Sequence, residues 1–233
     1  GQGLALNIAE KGYRISVYNR HLDGVEENVA QDFMAKSEHR ETIAGFDELD
    51  SFLQSLAAPR KILLLISAGA AVDEVIENLT PFLKAGDLII DGGNSHHRDT
   101  ERRLQDLETM NIDYLGAGFS GAPDGARQGL AVMVGGTGYK KVSDLLYSIT
   151  AQDNSGKPCC DYIGAGGAGH YVKMAHNGIE YAEMQLLAEV YQLLRYFCQV
   201  EPQEIAEIFI TWSETDLDCY LLRITAETLA QKD

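Results

Sequence analysis

Positive charge is scarce in this chain. Its 233 residues carry 19 lysines and arginines against 35 aspartates and glutamates, a formal net charge of −16. That balance excludes nucleic acid and anionic membrane as partners, because phosphate-covered surfaces demand a basic face. A small anionic ligand stays open, since a few cations in a cleft reverse the potential locally. Long apolar runs are lacking too. No stretch of eighteen uncharged apolar residues occurs, and the opening residues lack the basic, apolar and small-residue order of a secretory leader. The cytoplasm is therefore the expected compartment. The four cysteines, Cys159, Cys160, Cys198 and Cys219, have no metal-ligand spacing, and the adjacent Cys159 and Cys160 cannot bridge to each other without strain. They read as reduced thiols, and no metal site is expected. Internal repeats and low-complexity tracts are absent. An initiating methionine is missing as well, and Leu4-Ala5-Leu6-Asn7-Ile8-Ala9 reads as a helix already in progress, so the chain is expected to be cut at its front.

What the chain does have is 45% apolar residues, enough for one large core or for one domain and part of a second. From Leu4 to about residue 136, helical patterns alternate with short apolar runs bounded by turn residues. This predicts an α/β, Rossmann-like doubly wound domain with a parallel sheet. Tyr13 to Tyr18, Ile62 to Ile66 and Leu88 to Asp91 read as strands, with Tyr114-Leu115-Gly116 and Ala131 to Val134 as further ones. After Gly164 the pattern becomes helical throughout: Tyr171 to Gln199, Gln203 to Thr211 and Glu214 to Gln231. Residues 1–165 are therefore expected to form a dinucleotide-binding domain, and residues 166–233 the start of an all-helical domain. In open α/β sheets ligands bind beyond the carboxyl ends of the strands. Asn19-Arg20, Ser67-Ala68-Gly69, Gly92-Gly93-Asn94 and Ser120-Gly121 all fall at such ends.

The densest chemistry lies between Gly164 and Tyr181, where a glycine cluster opens directly into a helix. Lys173, His176, Asn177, Glu180 and Tyr181 are spaced i, i+3, i+4, i+7 and i+8, which puts all five on one helical face. Such a stripe normally holds core leucines. The reading is of a helix inside the protein lining a polar cavity; the plain alternative is a solvated face. A lysine partly desolvated in a cleft could serve as a neutral base on a secondary hydroxyl as hydride leaves for nicotinamide. Glu180 could then return a proton to carbon, with His176 and Asn177 orienting the substrate. Asn19-Arg20, in place of the carboxylate that accepts ribose hydroxyls in NAD sites, suits the 2′-phosphate of NADP. Gly1-Gln2-Gly3 is either the end of a glycine-rich phosphate turn or an arbitrary start.

These residues resemble the 6-phosphogluconate dehydrogenases, the decarboxylating branch of the β-hydroxyacid dehydrogenase family. The wider family's pattern is met by Gly164, Gly167, Gly169, Lys173 and Asn177, and His176-Asn177-Gly178-Ile179-Glu180-Tyr181 marks the phosphogluconate branch. The resemblance implies oxidation of 6-phospho-D-gluconate by NADP, loss of CO2 and release of ribulose 5-phosphate in the pentose phosphate pathway. It implies Lys173 as base and then acid, and Glu180 as the acid that protonates C1. Asn94, Ser120, Gly121, His176, Asn177 and Tyr181 would contact substrate. Gly1, Asn19, Arg20, Ser67, Ala68 and Asn94 would contact the cofactor. A homodimer of a chain roughly double this length is expected, with this chain by itself inactive. The departures are Gly3, His21, Ser67, Leu130-Ala131-Val132 and Ala122-Pro123-Asp124 in the substrate loop. Two alternatives are a non-catalytic nucleotide-binding remnant and a related dehydrogenase for a smaller acid.

Overall fold

A computed structural model of the chain describes residues 1–121 and 123–231, with the side chains of residues 123 and 124 outside the description. Two compact units divide it, residues 1–174 and residues 175–233.

The first unit begins with α1 (Gln2–Glu10), which ends at Lys11-Gly12, and then β1 (Ile15–Tyr18). It continues through α2 (Val29–Lys36), β2 (Ile43–Phe46), α3 (Leu49–Ser55), β3 (Lys61–Leu64), α4 (Ala70–Leu79), β4 (Leu88–Asp91), α5 (His97–Glu108) and β5 (Asp113–Ser120). After these come α6 (Pro123–Gln128), β6 (Ala131–Gly136), α7 (Ser143–Ile149) and β7 (Cys160–Gly164). The strands form a five-stranded sheet in the order β3-β4-β5-β6-β7 and a separate parallel pair, β1-β2. β4 sits between neighbours on both sides and all four of its residues are buried, which is why Leu88-Ile89-Ile90 reads as an unbroken apolar run.

Two points differ from an all-parallel sheet. β6 runs antiparallel to β5, with Ser120 opposite Ala131 and Leu115 opposite Gly136. The connection between them is ten residues, Gly121 to Leu130, and a parallel return needs a crossover of a dozen or more. The sheet also carries a fifth strand, β7, in a stretch that its charged and glycine-rich flanks disguise; neither it nor β2 is among the strands read from the sequence. Helices cover both faces. Leu4 and Ile8 of α1 join Leu88, Ile90, Leu115, Val132, Val134, Leu146 and Ile149 in one core. Leu53, Val72 and Leu79 join Ile62, Leu64, Ile89, Leu107 and Tyr114 in the other.

Helix α8 (Ala168–Gln192) leaves the first unit and continues into the second. It is shorter than the expected Tyr171 to Gln199, because residues 193–197 widen into a π-helical turn before the chain reaches Pro202. In the second unit α9 (Pro202–Trp212) starts with a capping box between Glu201 and Glu204 and with proline in its first turn. The expected helix from Glu214 begins only at Tyr220, as α10 (Tyr220–Leu229). Cys219 stops it there: its backbone is extended and its Sγ accepts from Leu222 N at 3.4 Å, an N-cap. Ile205, Phe209, Leu222 and Ala226 make this unit's small core. Among the described residues no helix is long and apolar enough to cross a membrane.

Candidate active site

The carboxyl end of the sheet is built around Asp91, the last residue of β4, which is fully buried. Its Oδ1 accepts from Gly93 N at 3.1 Å, and its Oδ2 from Ser95 Oγ at 2.6 Å, Tyr114 OH at 2.9 Å and an Arg103 guanidinium N–H at 3.4 Å. Arg103, also buried, reaches on to Asp73 through Nε at 2.7 Å and to the Gly69 carbonyl at 3.0 Å. Four donors thus satisfy the oxygens of this buried carboxylate. Burial, reinforced by the charge on Asp91, pushes the Tyr114 phenol well above the usual tyrosine range. The hydrogen bond from Arg103 pulls the Asp73 carboxyl down to about 2. The network fixes the turn Gly92-Gly93-Asn94-Ser95 from beneath and leaves Asn94 exposed at its tip. Close packing explains the two glycines: a Cβ on Gly92 would meet the Phe119 ring and Leu65, and one on Gly93 the Ile66 carbonyl at 3.1 Å.

A glycine seam sets α8 against this edge. Gly116 and Gly118 alternate on β5 and so face the same side. A Cβ on Gly116 would lie 2.8 Å from His170 Nδ1, and one on Gly118 would run into Lys173 at its Cβ and 2.9 Å from its Cγ. From the helix side, a Cβ on Gly169 would meet the Gly116 and Met133 carbonyls, and one on Gly167 the His97 carbonyl. The glycines that open α8 therefore let backbone approach backbone. They bring His170 and Lys173, both buried, onto the β5 surface.

His170 locks that contact. Nε2 lies 3.1 Å from the Asp91 carbonyl oxygen and Nδ1 lies 2.6 Å from Thr100 Oγ1. A carbonyl only accepts, so Nε2 carries the proton and Nδ1 accepts from the Thr100 hydroxyl. Burial holds the ring's pKa below 6.5, in keeping with this neutral form. Sequence reasoning missed Asp91, Arg103, Thr100 and His170. One signal was present, an aspartate closing an apolar strand.

Beyond Met174 the surroundings change. His176, Asn177 and Glu180 are half-buried, Tyr181 is 69% exposed, and no residue of α8 after Lys173 is buried. His176 Nδ1 and Glu180 Oε2 stand 3.6 Å apart, one helical turn from each other. Among the described residues of the stripe, those after Lys173 thus border solvent. Ser120 is half-buried and Gly121 exposed at the carboxyl end of β5, while Ala122 lies outside the described residues, as do the side chains of Pro123 and Asp124.

On the cofactor side, Gly1 is exposed and precedes α1, its carbonyl accepting from Ala5 N at 3.0 Å. Ser67 and Ala68 are exposed between β3 and α4, next to Gly69 with φ 92°. Asn19 and Arg20 follow β1 directly, and both hydrogen-bond the carboxylate of Glu26. Among the described residues no group of three or more His, Cys, Asp or Glu side chains could hold a metal ion.

Residues 1–164 match the family described as the NAD binding domain of 6-phosphogluconate dehydrogenase, and residues 169–233 match the C-terminal domain of 6-phosphogluconate dehydrogenase. The chain belongs to the 6-phosphogluconate dehydrogenase family. It is 48% identical over 235 aligned positions to the decarboxylating 6-phosphogluconate dehydrogenase of Bacillus licheniformis, covering all of this chain and 49% of that protein. It is 47% identical to an NAD(+)-dependent, decarboxylating 6-phosphogluconate dehydrogenase of Bacillus subtilis, again covering all of this chain and 49% of that protein. Among solved structures, the Plasmodium falciparum 6-phosphogluconate dehydrogenase, studied in its apo form and with NADP+ and 6-phosphogluconate, superposes with a TM-score of 0.90 at 40% identity. It covers all of this chain and 49% of that one. The chain spans about half the length of the relatives it matches. A Rossmann-like α/β dinucleotide-binding domain followed by a helical segment of the family's C-terminal domain is what this family membership and the fold agree on.

Proposed function

We propose that this chain is the cofactor-binding part, with the first helices of the substrate part, of an enzyme that oxidises 6-phospho-D-gluconate with NADP and releases ribulose 5-phosphate and CO2. The observation that carries the reading is Lys173, buried on α8 with its stem over Gly118, on a helix whose next two turns bear His176, Asn177 and Glu180. In this reading Lys173 takes the proton of the C3 hydroxyl, and a nicotinamide bound here would supply the acceptor for the C3 hydride. The same group, now protonated, donates to the new carbonyl oxygen while the C1 carboxylate leaves as CO2, and Glu180 supplies the proton that replaces it on carbon. Asn94, Ser120, Gly121, His176, Asn177 and Tyr181 position the substrate, and Asn19 and Arg20 hold the 2′-phosphate. The family's place in cytoplasmic sugar-phosphate oxidation and a homodimeric assembly belong to the same proposal. The apolar side chains exposed on α8 and the turn after it, Ile179, Leu186, Tyr196 and Phe197 among them, support an assembly.

The substrate-facing turns of α8 border water, and a charge-separating reaction depends on excluding it. The 233-residue chain by itself is therefore expected to bind NADP without turnover. Calorimetric titration with NADP and then 6-phosphogluconate, beside a spectrophotometric assay for NADPH, tests both halves. Turnover near ordinary enzyme rates, about 1–10³ s⁻¹, would overturn the expected inactivity, and absence of NADP binding would overturn the cofactor reading.

A further inference from the structure

Residues 21–28, between β1 and α2, fold back onto the residues that follow β1. Leu22 N donates to the Glu26 carbonyl at 2.9 Å, Glu26 N returns the bond to the Leu22 carbonyl at 2.8 Å, and Gly24 turns the chain with φ 70°. Gly24 N donates to Glu27 Oε1 at 2.6 Å and the His21 and Asp23 side chains pair at 2.9 Å, so the loop is cross-tied by its own residues. Its backbone closure aims one carboxylate outward. Glu26 Oε2 accepts from Arg20 Nε at 3.2 Å and from Asn19 Nδ2 at 3.3 Å. Those two donors are the guanidinium and amide assigned above to the 2′-phosphate.

We propose that Glu26 is a specificity-determining residue for the dinucleotide, an internal anion that competes with the 2′-phosphate of NADP for Arg20 and Asn19 and accepts the ribose 2′-hydroxyl of NAD. The inference rests on the reading that Asn19-Arg20 faces the adenosine ribose. The chemistry follows from the groups present. A phosphomonoester carries about −1.5 to −2 charges near neutrality against one on a carboxylate, so NADP can displace Glu26 from Arg20, but only by bringing two anions together. NAD brings a neutral hydroxyl, for which a carboxylate at the end of the second strand of a dinucleotide fold is the usual acceptor. Arg20 is exposed, at 67% of the side chain, and Glu26 half-buried, at 36%, which keeps the effect modest and leaves the fold indifferent to the substitution.

The test is calorimetric titration of the 233-residue chain, of Glu26→Gln and of Glu26→Lys, each with NADP and with NAD. Glu26→Gln is expected to tighten NADP by about three- to tenfold and to weaken NAD, with Glu26→Lys moving both further in the same directions. Equal changes for the two dinucleotides, or none, would overturn the role of Glu26 while leaving the cofactor site standing. Binding of neither dinucleotide by any of the three proteins would instead overturn the cofactor reading, and this inference with it.

Discussion

At the scale of single residues, His170 has the most exacting surroundings, because both ring nitrogens have a partner and the ring is buried, which favours its neutral form. Its pKa lies below 6.5 through burial, so the unfolded ring takes up a proton at a higher pH than the folded one. By linkage, this share of the stability is fully present above about 6.5 and is lost as pH falls below that value. Replacing His170→Gln keeps a donor for the Asp91 carbonyl, removes the titration and breaks the 2.6 Å contact with Thr100 Oγ1, which keeps the His96 carbonyl at 3.3 Å. The expected result is a cost of about 1–2 kcal/mol near neutrality and a flatter dependence of Tm on pH through the range just below 6.5. An unchanged slope would show that His170 is not the titrating group. The same ring was hidden from sequence reasoning. A histidine four residues after Gly166 looks like any helical histidine until Thr100 and Asp91, 70 and 79 residues away, are brought beside it.

At the scale of elements, the glycine-rich entry to α8 and the alternating glycines of β5 are two halves of one contact. Gly118→Ala would drive a methyl group into the Lys173 stem, and neither the Cβ of a helical lysine nor the backbone beneath it can give way cheaply. A loss of about 1–3 kcal/mol is expected in urea unfolding. Gly178, on α8 with open space where a Cβ would sit, provides the opposite sign: Gly178→Ala is expected to stabilise by about 0.5–1 kcal/mol. If both substitutions destabilise alike, the seam is not what distinguishes them. The strand ends show a similar division of labour. Asp91 closes β4 with its carboxylate turned inward to Arg103, Ser95 and Tyr114. What reaches the rim is the next polar residue, Asn94.

At the scale of the whole molecule, each of the two units has its own core, the sheet-centred pair of clusters in residues 1–174 and the small helical cluster in residues 175–233. A dinucleotide bound to the first unit adds stability to that unit by mass action. In a calorimetric scan, NADP at about a hundred times its Kd is expected to stabilise residues 1–174 by about 2.7 kcal/mol. No shift of that transition would place the dinucleotide elsewhere or nowhere.

The sequence by itself determined the class of fold and most of its elements, though not β2 or β7, because burial periodicity and turn residues are local properties. Leu88-Ile89-Ile90, sealed on both faces, reads as a buried strand, and Pro202 marks a helix start, whereas the start at Tyr220 was not legible, because the Cys219 cap depends on an extended backbone that no local pattern announces. It also determined which side chains share the face of α8, since 3.6 residues per turn is fixed by the backbone. Only the tertiary structure decided what those side chains meet. It set β6 antiparallel, split β1-β2 from the main sheet, buried Lys173 against Gly118 and left the face that carries Tyr181 open to water. It also placed a carboxylate on Arg20. Each of these depends on residues distant in the chain or on a loop closing on itself, and no local pattern encodes which of several chemically suitable partners arrives within reach.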